Sequence, residues 1–360
     1  MYIKYILTIS VLSSVIFSNG KFSLWQKPSY FRGYNIIYES PKTREDIADL
    51  KKAGGNLFQI NTRGFINEDY PYDTNYENIS AVDLIASFCR MEGIYYTIAV
   101  RSGPGAYDVY YETEKLSGPS RIWEKENISE RKLYADMLKM IIKRYADDSL
   151  FVGLNIIVEP RPRAFVIPAT TSTLYKSFLE KFYDIDMGNV LNYFVKQVRE
   201  IDKTLPLIIQ NFAFSTPELF PAYEINDPFI IYDAHMYIPY DFTHASKPYK
   251  VKYPGYYTSI NSLSEEYFDY QYLKNVVFKN LREFQLSTNK PVFIGEFGIR
   301  YPQKGSDIYL RDIMNICVEF GWHFSLWDWR RGKSSEWNIE NFNDGVSWQT
   351  VIEYFRINRN

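Results

Sequence analysis

The amino-acid sequence predicts a single (β/α)8 barrel, and three observations carry that expectation. Eight short runs rich in Ile, Val, Tyr and Phe recur along the 360 residues, most of them continuously apolar, as parallel strands buried on both faces are. Stretches of helical periodicity separate the runs, with no low-complexity segment, charge run or Pro/Gly/Ser-rich linker to divide the chain. No glycine-rich phosphate turn follows the first run, which disfavours an open doubly wound sheet.

The eight expected strands are 31–37, 56–62, 94–100, 151–158, 205–210, 229–234, 291–296 and 322–327. Between them, 43–53 has Thr43 as a natural N-cap and Gly54-Gly55 as its stop, and 80–91 closes at Gly93. The segment 129–145 places Leu133, Met137, Ile141 and Ile142 on one stripe. Further helices are expected at 189–201, 265–284, 308–320 and 348–355, with a short helical piece near 217–223. Ahead of the barrel, Lys4, the apolar run 5–17 and Ser18-Asn19-Gly20 read as a secretory signal peptide. That run is shorter than the roughly 20 apolar residues a bilayer span requires. The expected organisation is a leader at 1–20, one catalytic barrel at 21–360, and a secreted product, extracellular or periplasmic.

Composition narrows the function. Lys and Arg number 41 against 43 Asp and Glu, so no basic excess exists to neutralise a phosphate backbone. Two cysteines exclude a disulfide scaffold and a cysteine-based metal cluster, and Cys89 and Cys317, in separate expected helices, read as buried free thiols. The aromatic load is high, with 32 Tyr, 25 Phe and 7 Trp. Flat amphipathic rings suit a sugar-binding cleft as well as a core. Candidate platforms are the loops 107–111, 237–240 and 249–257 beside Trp123, Trp329 and Trp337. Asn78-Ile79-Ser80 and Asn127-Ile128-Ser129 match the glycosylation acceptor pattern. Only three histidines occur, and no metal-ligand spacing is visible.

In a barrel of this kind the site is built at the C-terminal strand ends. Polar, ionisable or aromatic residues close seven successive runs: Asn61-Thr62-Arg63, Arg101-Ser102-Gly103, Val158-Glu159-Pro160, Gln210-Asn211, His235-Met236-Tyr237, Gly295-Glu296-Phe297-Gly298 and Trp327-Asp328-Trp329. Glu159 and Glu296 stand out as carboxylates closing apolar runs on strands four and seven, on opposite sides of the mouth. A separation of about 5–5.5 Å would suit a retaining glycosidase.

This ordered set resembles glycoside hydrolase family 5, the cellulase and mannanase family of retaining (β/α)8-barrel glycosidases. Arg32-Gly33-Tyr34-Asn35, Arg63, Glu159-Pro160, His235-Met236-Tyr237, Glu296 and Trp327 carry the resemblance across nearly the whole chain. It implies a β-linked polysaccharide or oligosaccharide of glucan or mannan type as substrate, and neither cofactor nor metal. It further implies Glu159 as acid/base, Glu296 as nucleophile, Arg63 and Tyr237 supporting Glu296, His235 contacting the site, and Trp327 stacking under the reacting sugar. Glu296 is then expected to be held ionised by Arg63 and Tyr237, and Glu159 to be protonated more readily.

Two departures from the family pattern matter. Val158 stands where the family has an Asn that bonds the sugar 2-hydroxyl, and Gln210 and Asn211 on strand five are the candidates to replace it. Strand three ends in Arg101-Ser102-Gly103-Pro104-Gly105 rather than in a His. There Arg101 either reaches a substrate hydroxyl or forms a salt bridge in a Gly-Pro turn. The alternative reading is a carbohydrate-binding barrel with weak or no catalysis.

Overall fold

The computed structural model describes residues 20–37, 42–108, 120–160, 186–220, 223–259, 262–330 and 336–357. Eight parallel strands close into a barrel: β1 (Arg32–Ile37), β2 (Leu57–Thr62), β3 (Tyr95–Val100), β4 (Phe151–Asn155), β5 (Leu207–Gln210), β6 (Ile230–Met236), β7 (Val292–Phe297) and β8 (His323–Leu326). Each strand pairs with its sequence neighbours, and β8 pairs with β1 to complete the circle. Apart from half-buried Tyr95, every strand residue is buried, which is why the runs read as continuously apolar. The fourth expected strand ends at Asn155, beyond which the Ile156 N–H still donates to the Ile208 carbonyl (3.3 Å) and the Val158 N–H to the Val100 carbonyl (2.8 Å).

The outer helices are α1 (Arg44–Ala53), α2 (Tyr76–Glu92), α3 (Ile128–Tyr145), α4 (Met187–Arg199), α5 (Lys279–Thr288), α6 (Ser306–Phe320) and α7 (Ser347–Arg356). α1 starts with a full capping box between Thr43 and Asp46 and stops at Gly54, whose φ of 103° favours a residue without a Cβ. On α3 the buried stripe is Tyr134, Met137, Leu138, Ile141 and Ile142; half-buried Leu133 lies at its edge.

One element differs in type from the expectation. Glu265–Phe268 is not the start of a helix but a strand, antiparallel to Gly255–Thr258. Tyr257 and Phe268 face inward there, while Tyr256 and Tyr267 face solvent, an alternation that belongs to a strand. Helical structure resumes only at Tyr270.

The N-terminal end of the barrel is plugged by Trp25, Phe31, Leu57, Val152, Ile208 and Phe293, and the Trp25 indole donates to the Val152 carbonyl (2.8 Å). His323 sits in this plug, and burial lowers its pKa to about 4. Cys89 and Cys317 are buried and free. Asn78 is unsuited to be a glycan acceptor in the fold, because it is buried with its amide donating to the Gly64 carbonyl (2.8 Å). The expected leader lies outside the described residues except for Gly20, which opens a helical stretch ending at Trp25. Among the described residues no helix is long and apolar enough to cross a membrane.

Candidate active site

Beneath the mouth the strands carry a layer of polar residues inside otherwise apolar runs. Asn35, Gln59, Asn61, Asn155 and Asp233 are fully buried, and Gln210 is 1% exposed. Gln59 and Asn61 both donate to Asn35 Oδ1, at 2.9 and 2.8 Å. The Asn35 amide donates in turn to the Gly295 carbonyl (2.7 Å). Asp233 accepts from the Gly295 N–H (2.8 Å), the Asn155 amide (2.9 Å) and the Gln210 amide (2.7 Å). A buried carboxylate is tolerated when its lone pairs are filled in this way. This layer was not anticipated from the sequence; the signal that could have found it is the polar residue interrupting an otherwise apolar strand.

The layer also dictates the Gly295-Glu296-Phe297-Gly298 motif. A Cβ at 295 would lie 2.3 Å from Asp233 Oδ1, and one at 298 would lie 2.4 Å from the Trp327 carbonyl oxygen. Glu296, 1% exposed, therefore stands in β7 between two glycines where an added Cβ would be crowded.

The structure brings Glu159, His235 and Glu296 together, with one donor atom of each within 4.8 Å of the others. His235 Nδ1 lies 2.8 Å from Glu159 Oε1 and 3.5 Å from Glu296 Oε2. The Tyr237 hydroxyl donates to Glu296 Oε2 (3.1 Å). Trp327 is buried beside Tyr237 and Ile37, with half-buried Trp337 packed against them. Trp123 and Trp329 are instead buried in the packing, each 1% exposed. The expected platform at 107–111 falls beyond position 108 outside the described residues.

The guanidinium beside Glu296 belongs to Arg101, not to Arg63. Arg101 Nη1 donates to Glu296 Oε1 (2.9 Å) and Asn61 Oδ1 (3.0 Å), and Nε donates to Asp108 (3.0 Å). Nη2 lies 3.8 Å from Glu159 Oε2, and the guanidinium stands over the Trp327 ring at 5.1 Å. Sheet geometry aims this side chain, because the Arg101 N–H still pairs with the Thr62 carbonyl (2.9 Å). Arg63 is half-buried beyond the last β2 residue, at the rim. Arg101 is thus salt-bridged, to Asp108 and Glu296.

Electrostatics at Glu296 also differ from the expectation. Burial raises its pKa above the usual 4.5; Arg101 opposes this, as does His235 when protonated, and the nearby Glu159 reinforces it. At His235, burial favours the neutral ring, yet Glu296, Asp233 and Glu159 together push its pKa up to about 10. The Gln210 amide pulls the other way. Its Nε2 faces His235 Nε2 at 2.9 Å while bonds of 2.7 Å to Asp233 and 2.6 Å from the Glu159 N–H fix its orientation. A donor at that point requires a lone pair on Nε2, so the geometry accommodates the neutral ring with its proton on Nδ1.

The same contacts engage Gln210, one of the two candidates for the missing 2-hydroxyl partner, more fully than Asn211. Gln210 spends its oxygen on the Glu159 N–H and its nitrogen on Asp233 and His235. Asn211 donates its amide NH2 to the Leu219 carbonyl (2.8 Å), while its Oδ1 is buried without a hydrogen-bond partner. Val158 is 5% exposed in the wall. Glu159, His235 and Glu296 are also the set of donors grouped closely enough for a metal ion among the described residues. The fixed positive charge of Arg101 at 2.9 Å from Glu296 opposes a second cation there.

A family model described as cellulase (glycosyl hydrolase family 5) matches residues 23–333. Endoglucanase C of Acetivibrio thermocellus is 23% identical over 321 residues, spanning 80% of this chain and 84% of that protein. Among solved structures, endoglucanase Cel5A from Thermotoga maritima superposes with a TM-score of 0.65 at 17% identity, covering 93% of this chain and 99% of the other. The same Cel5A in complex with a mannotriose substrate gives 0.64 at 17% identity, covering 92% and 98%. The cellulose synthase subunit Z of Clostridioides difficile gives 0.64 at 16% identity, covering 91% and 99%. These likenesses establish the barrel fold.

Proposed function

Since the chain belongs to glycosyl hydrolase family 5 and is a glycoside hydrolase, we propose that it is an exported retaining β-glycanase in which Glu296 is the nucleophile and Glu159 the acid/base. The observation that carries this reading is the gap between the two carboxylates, whose oxygens approach within 4.8 Å. Retaining enzymes place their carboxyl groups about 5–5.5 Å apart, whereas inverting ones need about 6.5–9.5 Å to admit a water. In the first half-reaction Glu296 attacks the anomeric carbon, the glycosidic C–O bond breaks, and the Glu159 proton goes to the departing oxygen. In the second, Glu159 takes a proton from water, the water oxygen bonds to the anomeric carbon, and the Glu296 carboxylate leaves. Tyr237 and Arg101 orient Glu296, His235 orients Glu159, and Trp327 offers its ring to the sugar. Residues 1–20 serve as the export leader and 21–360 as the catalytic domain.

The substrate is a β-linked glucan, in keeping with the endoglucanase relatives, with mannan the next choice because one structural neighbour was solved with mannotriose. Proton NMR of the first product released from a cello-oligosaccharide tests the reading: the β-anomer appears first if it holds, and the α-anomer first if it fails. Val158, with Gln210 committed to Glu159, Asp233 and His235, favours a second reading as a carbohydrate-binding barrel of weak turnover. Binding of the oligosaccharide with no aglycone released from an activated aryl β-glycoside would establish that reading instead.

A further inference from the structure

We propose that Asp233, a residue buried below the mouth and out of reach of substrate, is the positioning residue for the acid/base, acting through Gln210 on the backbone of Glu159. This rests on the assignment of Glu159 made above. Glu159 has a φ of 47°, a left-handed conformation that residues with a Cβ adopt at a cost. The bond holding it there is the 2.6 Å contact from its own N–H to Gln210 Oε1. A primary amide can be turned either way round in the same space, and here the Glu159 N–H, which only donates, requires the oxygen at its end. Asp233 enforces the same orientation from the other end. An ionised carboxylate only accepts, and its Oδ2, 2.7 Å from Gln210 Nε2, forces the nitrogen downward and the oxygen up toward Glu159. The same orientation sets Nε2 against His235, whose other nitrogen reaches Glu159 Oε1 at 2.8 Å. Backbone and side chain of Glu159 are thus held from one buried carboxylate.

The isosteric Asp233→Asn isolates this role. The Asn oxygen still accepts from the Gly295 N–H, and Asn155 is free to turn its amide over because its Oδ1 has no partner. Gln210 has no such freedom. Its nitrogen would meet the new Asn nitrogen, and inverting it would set an NH2 against the Glu159 N–H.

The test compares Asp233→Asn, Gln210→Ala, the double variant and Glu159→Ala on an oligosaccharide and on a dinitrophenyl β-glycoside, whose aglycone departs without a proton. Expected are a loss in kcat of about 10²-fold on the oligosaccharide with KM little changed, a much smaller loss in aglycone release, and acceleration of the dinitrophenyl turnover by azide, which needs no base. The double variant should be no worse than the poorer single one, since both break one connection. Equal losses on both substrates without azide acceleration, or additive losses, would overturn the role of Asp233, even where thermal unfolding shows that Asp233→Asn folds poorly, because Gln210→Ala reports on the same connection. A Glu159→Ala variant that keeps full oligosaccharide activity would instead sink the acid/base assignment itself.

Discussion

A guanidinium 2.9 Å from a carboxylate that is 1% exposed favours the ionised form of that carboxylate, so its removal has a definite sign. Burial already holds the Glu296 pKa above the usual 4.5, and Arg101 works against that rise. Nucleophilic attack needs the ionised form, so activity falls as the pH drops through this pKa. Arg101→Ala should therefore move the acid limb of kcat/KM to higher pH. Arg101→Lys, which keeps the charge and loses the fork, should fall between the two. An acid limb that stays in place in Arg101→Ala would mean that this charge does not govern Glu296. The two carboxylates were legible in the sequence because an acid closing an uninterrupted apolar run has no place in a core. Which arginine reaches Glu296 was not, since Arg63 and Arg101 each follow a strand end, and the paired ends Thr62 and Val100 put them at equivalent positions in the register. Nor was the commitment of Gln210, which depends on contacts across strands far apart in sequence.

At the scale of elements, β7 is pinned by what lies next to it. Gly295→Ala would place a methyl group against the buried Asp233 carboxylate, at 2.3 Å from Oδ1 before any adjustment. Overpacking of this kind costs about 1–3 kcal/mol. The variant should show a lower urea midpoint at unchanged denaturant slope. A midpoint equal to that of the parent would mean that β6 and β7 can part without penalty. The strands themselves were readable to within a few residues, because a barrel buries both faces and leaves an apolar signature. The hairpin was not. Its four-residue arms (Gly255–Thr258 and Glu265–Phe268) alternate over too short a length, and the second runs straight into a helical pattern.

For the whole molecule, the closed barrel sets strands four and seven across a common mouth, and the polar layer beneath fixes how far apart their carboxylates stand. The order of polar strand ends in the sequence anticipated that convergence, since each parallel strand delivers its last residues to the same face. The distances could not be anticipated, because they follow from bonds such as Asn35 to Gly295 and Asp233 to Gly295 that link β1 and β6 to β7. The direct measurement of the proposed chemistry is to incubate the protein with an activated 2-deoxy-2-fluoro cellobioside, which slows hydrolysis of the glycosyl-enzyme, and to digest the product for mass spectrometry. One added glycosyl group is expected, on the peptide carrying Glu296; a label on any other residue, or release of the aglycone with no covalent adduct, would contradict Glu296 as the nucleophile.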